Sequence, residues 1–274
     1  MTKIAYDPIK DRFARIIRDS KRLRRLFYFI LDLFFLRSWH LRRLLKEIGE
    51  GLEKKGQWKI LDAGCGFGQY DYFFLKKFKN VSIHSVDLKE EYLEDNKFYF
   101  EKEIDEGRIS FFREDLLTFT TKEQFNLVLC VDVLEHIEDD VKVINNLSAA
   151  LKTGGYLLMH SPSHYSEIDA NEEDTFVGEH ARTGYSKSEI EKKMMEADLL
   201  PLKTHYTYGK FGRQAWILSV KYPMILFNKL GLIALIPLMA YYPIVMPFVL
   251  LMNYMDLYSK NRKGTGIYAF AKKI

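Results

Sequence analysis

Short runs of β-forming residues alternate with helical stretches through the middle of the chain, and this alternation constrains the fold more than any other feature. Apolar runs bounded by turn residues predict strands, whereas apolar residues three or four positions apart predict helices. A chain that repeats strand, helix and strand forms βαβ units on a parallel sheet, so the sequence predicts an α/β fold. The predicted strands are 58–64, 81–87, 109–114, 125–133, 155–161, 202–208 and 266–273, with helices at 69–79, 90–104, 138–152 and 186–199.

A glycine-rich turn joins the first predicted strand to the helix after it. The run Asp62-Ala63-Gly64-Cys65-Gly66-Phe67-Gly68 places glycines at alternate positions. Glycine lets the backbone turn tightly and approach a ligand, and the next helix offers unpaired N–H groups. The dinucleotide-binding fingerprint would need its third glycine one position later, at Gln69, and would bring Asp62 close to a pyrophosphate. The turn therefore favours a ligand that carries an ammonium group.

Acidic residues also end the next strands of the predicted sheet. Asp87 follows the second strand, where a carboxylate can accept both hydroxyls of a ribose, and Asp115 follows the third, where it can accept from an adenine amino group. The segment 131–136 ends the fourth strand. Ligands of such folds bind at the carboxyl edge of the sheet, so this ordered series predicts a nucleoside site there.

In this order the motifs resemble those of the S-adenosylmethionine-dependent methyltransferases, in the branch that methylates small molecules such as quinones and lipids. Asp132-Val133-Leu134-Glu135-His136 is similar to that family's D-x-L-E-H element, although Thr153 stands where the family usually has proline before the fifth strand. The resemblance covers about 58–212 and the last strand. It implies a Rossmann-like, doubly wound, mostly parallel sheet and S-adenosylmethionine as cofactor. The cofactor-binding residues that it implies are Asp62, Gly64, Gly66, Gly68, Asp87, Leu88, Asp115, Leu116 and Val131.

Three histidines are candidates for a catalytic base. Methyl transfer is an in-line displacement at a sulfonium, and a base assists it when the acceptor is a hydroxyl. His136 follows the fourth strand, and His160 and His164 lie at the end of the fifth; His180 is a weaker fourth candidate. Each can also be an ordinary polar loop residue. No Cys/His spacing predicts a metal site, and Cys65 and Cys130 show no pairing pattern.

Residues 1–56 form a separate predicted segment of basic, amphipathic helices. The first 57 residues hold 15 basic and 7 acidic side chains, whereas the remainder holds 26 and 30. Residues 26–36 are strongly apolar and are flanked by arginines on both sides. This pattern favours an interfacial helix over anionic headgroups, because eleven residues are too few to span a bilayer.

A second apolar segment lies in an insert at about 213–260, within the domain predicted over 57–274. Residues 230–255 carry no charge and contain three prolines. Because the chain must return to the sheet for its last strand, we expect two short helices, broken near Tyr241-Tyr242-Pro243, that lie in the membrane interface.

The sequence thus predicts a monotopic enzyme on the cytoplasmic side of an anionic membrane, with a lipophilic small molecule or lipid as methyl acceptor and without a nucleic-acid partner. Three alternatives stay open. The basic arm could bind RNA, since RNA methyltransferases share this core; the chain could be a non-catalytic scaffold that binds S-adenosylmethionine; and the apolar segments could pack on each other as a soluble cap.

Overall fold

A computed structural model of the protein describes residues 20–166 and 181–274. Seven strands form one sheet in the order β3-β2-β1-β4-β5-β7-β6, in which β1 to β5 pair in parallel and β7 runs antiparallel to both neighbours. The strands are β1 Trp58–Ala63, β2 Val81–Asp87, β3 Ile109–Arg113, β4 Phe125–Val131, β5 Leu151–Pro162, β6 Leu199–Thr207 and β7 Gly266–Lys273.

Helices cover both faces of this sheet. The main helices are α1 Lys21–Phe34, α2 Leu36–Glu53, α3 Gln69–Lys77, α4 Glu90–Tyr99, α5 Glu101–Asp105, α6 Asp140–Ala150, α7 Lys187–Glu196, α8 Lys210–Trp216, α9 Tyr222–Leu230 and α10 Leu235–Tyr258. The predicted α/β fold with a doubly wound, mostly parallel sheet is confirmed.

Two hydrophobic cores lie on opposite faces of the sheet, because alternate residues of each strand point to opposite sides. Leu61 of β1 belongs to the core under α6 and α7, whereas Ile60 belongs to the core under α2, α3 and α4. Helix α2 buries Leu41 and Leu45 in that second core. Helix α2 therefore shares the core of the sheet.

The insert between β6 and β7 differs from its predicted form. Helix α10 continues without a break through Pro243 and Pro247. The chain turns instead at the 3₁₀ segment Gly231–Ala234, which separates α9 from α10. A proline inside a helix costs about 3 kcal/mol, but here the hydroxyls of Tyr241 and Tyr242 donate to backbone carbonyl oxygens of the neighbouring π-helical segment Ile217–Lys221, at 2.9 and 3.0 Å. This packing keeps α10 helical where the prolines predicted a break.

Candidate active site

The glycine-rich turn has a backbone that residues with side chains rarely adopt. Gly64 has φ +84°, and a Cβ built there would lie 2.3 Å from Cγ2 of Val133, so only glycine fits. Gly66 has φ +51°, and a Cβ there would meet no atom within 4 Å. Gly68, also at positive φ, precedes the first residue of α3. The turn thus exposes its backbone to open space at Gly66.

A pair of buried carboxyls lies beneath this turn. Asp62, at the end of β1, is 2% exposed, and Asp71 in α3 is fully buried. Burial and the neighbouring carboxylate of Asp71 raise the pKa of Asp62 well above its usual range, and burial raises the pKa of Asp71 to about 7, opposed by a hydrogen bond of 2.9 Å from Ser85. One shared proton lets the two carboxyls hydrogen-bond to each other. The sequence did not identify Asp71 as a site residue, because no local pattern indicates that α3 brings its carboxyl next to Asp62.

Asp87 lies at the carboxyl end of β2, beside the turn. Its Oδ2 accepts from the backbone N–H of Gly66 and its Oδ1 from that of Lys89, both at 2.9 Å. Each carboxylate oxygen keeps a second lone pair. Leu88, the next residue, is 40% exposed. The position matches the one predicted for a ribose-binding acid.

The remaining predicted cofactor residues follow the same edge of the sheet. Asp115 lies after β3, where its Oδ1 accepts from the N–H of Leu117 at 2.9 Å. Leu116 is buried, and Val131, the last residue of β4, packs partly buried against the core under α2. The structure therefore places these residues at the strand ends that the sequence predicted.

Helix α1 contacts the glycine-rich turn directly. Arg24 is 1% exposed, and its guanidinium donates to the carbonyl oxygen of Phe67 at 2.8 Å and to the side-chain oxygen of Asn96. Tyr28 donates to the same carbonyl oxygen at 2.5 Å. Asn96, in α4, in turn donates to the carbonyl oxygen of Gly66 at 2.8 Å. The sequence pattern predicted that the arginines flanking 26–36, which include Arg24, face a membrane, but Arg24 lies buried against the turn.

A polar network occupies the edge of the sheet after β4. The carboxylate of Asp132 forms an ion pair with Arg37 of α2, and Nδ1 of His160 lies 2.6 Å from its other oxygen. Nε2 of His160 lies 3.2 Å from the hydroxyl of Thr207. Asp132 has φ +53°, a costly conformation for a residue with a side chain and one that concentrates at functional sites. Its role as a site residue was not among the sequence predictions.

The three predicted bases lie in different surroundings. Burial lowers the pKa of His160 to about 3. Both of its ring nitrogens have hydrogen-bond partners, Asp132 and Thr207, so His160 positions the carboxylate of Asp132. His136 ends the 3₁₀ helix after β4 and is half-buried. His164 is half-buried as well, with Nδ1 3.3 Å from the carbonyl oxygen of Tyr185. His136 and His164 are therefore the better placed candidates, and His180 lies outside the described residues.

The residues at this edge fit S-adenosylmethionine. Oδ2 of Asp62 and Oδ2 of Asp71 are both buried, and within 20–166 and 181–274 their one polar contact is the hydrogen bond through the proton that the two carboxyls share. The backbone at Gly66 borders open space, and Asp87 can accept further hydrogen bonds beside it. Both cysteines are buried and unpaired. No cluster of metal-ligating side chains occurs in the described part of the chain.

Comparison with known proteins supports this interpretation. A family model described as Methyltransferase domain matches residues 54–199, which is more than half of the chain. The chain is 30% identical over 101 residues to malonyl-[acyl-carrier protein] O-methyltransferase 1 of Ilyobacter polytropus, covering 37% of each protein. It is 30% identical over 114 residues to a ubiquinone biosynthesis O-methyltransferase of Coxiella burnetii, covering 41% of this chain and 47% of that one. The matches thus span less than half the length of these curated relatives.

Solved structures show the same fold. A phosphoethanolamine N-methyltransferase 2 of Haemonchus contortus, solved with S-adenosyl-L-methionine, superposes with a TM-score of 0.57 at 19% identity, over 95% of this chain and 60% of that chain. An S-adenosylmethionine-dependent methyltransferase of Aquifex aeolicus superposes with a TM-score of 0.51 at 16% identity, over 74% and 93% of the two chains. At these identities the likeness concerns the fold alone.

Proposed function

Since the chain belongs to the Methyltransferase domain family, we propose that it transfers the methyl group of S-adenosylmethionine to a lipophilic small molecule or lipid at an anionic membrane surface. The observation that carries the lipophilic part of this proposal is an exposed apolar face on helices α1 and α10, next to the cofactor site.

When bound, S-adenosylmethionine would supply an electrophilic methyl group, which the acceptor atom would take while the electron pair of the broken bond would stay on sulfur. An acceptor hydroxyl loses its proton to a base, for which His136 and His164 are the candidates. The acid residues at the strand ends and the turn backbone position the cofactor, which is the main contribution of such an enzyme.

The apolar face comprises large side chains that no described residue covers. On α1, the exposed residues recur on one side of the helix, opposite buried Arg24 and Tyr28. On α10, Leu238 and Val249 pack inward while the other side is exposed. The rings of Phe34 and Tyr242 join the two helices, with centroids 5.3 Å apart. The exposed apolar residues are Leu23, Leu26, Phe29 and Ile30 on α1 and Leu235, Ile236, Met239, Ile244, Phe248, Leu251, Tyr254, Met255 and Tyr258 on α10.

A face of this extent favours a membrane over water as its neighbour. Basic side chains border it: Lys21, Arg22 and Arg25 on α1 are exposed, as is Lys229 at the end of α9. Each such residue near an anionic surface contributes about 1 kcal/mol of attraction. Basic and apolar groups together suit the headgroup region of an anionic leaflet, and we propose the cytoplasmic one.

Among the described residues, one helix is long and apolar enough to cross a bilayer, and that helix is α10. Two observations favour a helix that lies along the surface instead. Both ends of the insert connect to strands of the same sheet, β6 and β7. Asp256, near the end of α10, is fully buried and accepts from the backbone N–H of Gly212 at 3.0 Å, so α10 is bound to the domain.

Flotation with liposomes tests membrane association. The wild-type chain should float with vesicles that contain anionic lipid, and the double variant Ile236→Ser/Met239→Ser should float less, because both side chains are more than 70% exposed on α10. The matched control is Met195→Ser/Leu200→Ser, which removes two exposed apolar side chains elsewhere. A wild-type chain that stays in the soluble fraction contradicts the proposal and leaves the apolar segments as a soluble cap.

Transfer of a labelled methyl group tests the acceptor class. The chain is incubated with methyl-labelled S-adenosylmethionine and a total cell extract, which is then separated into lipid and RNA fractions. Label in the lipid fraction supports the proposal, and label in RNA would establish the alternative acceptor. Cofactor binding without transfer to any fraction would identify a non-catalytic protein.

A further inference from the structure

A small cavity lined by cationic side chains opens at the carboxyl edge of the sheet, on the side of β6 and β7. Its volume is about 140 Å³, and Lys210, Arg213 and Lys263 line it together with Tyr165 and Tyr208. None of the described residues that line it is acidic. We call it the cationic cavity.

Three segments, the second of which includes the start of α8, bring these residues together. Tyr165 follows β5, Tyr208 and Lys210 follow β6, and Lys263 precedes β7. The backbone joins two of these segments, since the N–H of Thr265 donates to the carbonyl oxygen of Tyr208 at 3.2 Å. The cavity is thus part of the fold and not a chance meeting of surface side chains.

Converging positive charges repel one another unless an anion neutralises them. Lys263 lies over the ring of Tyr165, with Nζ 5.4 Å from its centroid. Within residues 20–166 and 181–274, no carboxylate pairs with Lys210 or Lys263. The ammonium groups of Lys210 and Lys263 donate several hydrogen bonds each, and these donors match an anion with several acceptor oxygens.

Tyr208 connects the cationic cavity to the network around Asp132. Its hydroxyl accepts from the backbone N–H of Arg37 at 3.2 Å, and the guanidinium of Arg37 pairs with Asp132. Tyr208 itself has φ +53°, a strained conformation that the fold must hold in place. Tyr208 and Arg37 therefore link the cavity to Asp132, directly after β4. The chain enters the apolar insert directly beyond Lys210.

We propose that the cationic cavity binds a phosphate group of the methyl acceptor, so that the substrate is a phosphate-bearing amphiphile whose apolar part lies along the insert. This inference rests on the proposed methyltransferase function and narrows its substrate class. The phosphate belongs either to a lipid headgroup or to a soluble phosphate ester, which have the same chemistry at this site.

Titration calorimetry in phosphate-free buffer, with the full chain, tests the inference. The probes are inorganic phosphate and a short-chain phosphatidic acid kept below its micelle concentration. The double variant Lys210→Gln/Lys263→Gln should bind both probes at least about tenfold more weakly, because two charge-assisted contacts are lost. The matched control Lys142→Gln/Lys152→Gln removes the same charge from exposed positions outside the cavity and should bind as the wild type does.

The outcomes separate this inference from the proposed function. Tighter binding of the phosphatidic acid than of inorganic phosphate supports a lipid phosphate, and equal binding supports a soluble ester. No phosphate binding by the wild type, or equal weakening in the control, overturns the inference, even where S-adenosylmethionine still binds and liposomes still carry the chain. Phosphate binding by a chain that fails to bind S-adenosylmethionine would instead contradict the methyltransferase proposal alone.

Discussion

The buried guanidinium of Arg24 donates a hydrogen bond of 2.8 Å to the carbonyl oxygen of Phe67, and this contact joins the N-terminal helix to the glycine-rich turn. Burying an arginine is costly unless it is fully hydrogen-bonded. Here Tyr28 and Asn96 complete its partners, and the nearby charge of Arg24 lowers the pKa of Asp71, against the larger effect of burial. Helix α1 is therefore a structural part of the cofactor site.

Replacing Arg24 by glutamine should destabilise the chain and weaken S-adenosylmethionine binding together. The carbonyl oxygen of Phe67 and the side chain of Asn96 would lose a buried donor, which costs about 1–3 kcal/mol. Urea unfolding and hydrogen exchange over 21–34 measure the effect. Arg25→Gln, at an exposed neighbouring position, is the control, and equal losses in the two variants would contradict a role for the contact.

If Asp87 binds the ribose as proposed, Asp87→Asn should weaken S-adenosylmethionine binding by roughly tenfold or more, because one acceptor oxygen is replaced by a donor. Calorimetric titration gives the affinity. The N–H groups of Gly66 and Lys89 also bond to this side chain, so thermal unfolding without cofactor must be measured in parallel. An unchanged affinity would remove Asp87 from the cofactor site.

The stability of the cofactor-free chain should depend on pH through Asp71. Its pKa is about 7 in the folded chain and near 3.8 when unfolded, so between these values the folded chain holds a proton that the unfolded chain has released. This contribution to stability is present at low pH and is lost as the pH rises from about 4 to 7.

The variant Asp71→Asn tests this effect, which it removes together with the influence of Asp71 on the pKa of Asp62. Its free energy of unfolding, relative to the wild type, should increase between pH 4 and 7, as measured by urea titration at several pH values. His160 acts in the opposite direction in both proteins, because its folded pKa of about 3 lies below the ordinary 6.5 and its contribution grows as the pH rises. Asp105→Asn, at an exposed position, should leave the pH dependence unchanged.

His136→Ala and His164→Ala distinguish the two remaining candidates for the base. Loss of the true base should lower the rate of methyl transfer by about 10²–10⁴-fold while S-adenosylmethionine still binds. His160→Gln is the comparison: it keeps a polar group next to Asp132 and should lower the rate without removing the acidic limb of the pH profile, the limb on which a general base becomes protonated. Near-normal rates in all three variants would mean that the acceptor needs no side-chain base.

The positions of the candidate cofactor residues in the fold could be predicted because their signals are local. Strand ends, the glycine-rich turn and the acids after β2 and β3 each depend on a few adjacent residues. The strand predictions 81–87 and 266–273 agree with β2 and β7. The predicted cap at Ser186 is present too: α7 begins at Lys187, and the Ser186 hydroxyl accepts from the N–H of Glu189. Short-range patterns of this kind require no knowledge of the rest of the fold.

Other features depended on contacts between distant parts of the chain. The periodicity of α1 is the same whether its arginines face lipid or protein, and only the docking of α1 on the turn placed Arg24 inside. The prolines of α10 predicted a break that the hydroxyls of Tyr241 and Tyr242 help to prevent. In both cases contacts with distant parts of the chain outweigh what the neighbouring residues alone would favour.

The sequence by itself determined the α/β fold, the glycine-rich turn and the strand-end acids, because each follows from the periodicity and conformational limits of neighbouring residues. Only the tertiary structure decided that Asp62 shares its buried site with Asp71, that Asp132 lies between Arg37 and His160, and that three cations converge near Tyr208. These residues are far apart along the chain, and folding alone brings their charges within the range at which they act on one another.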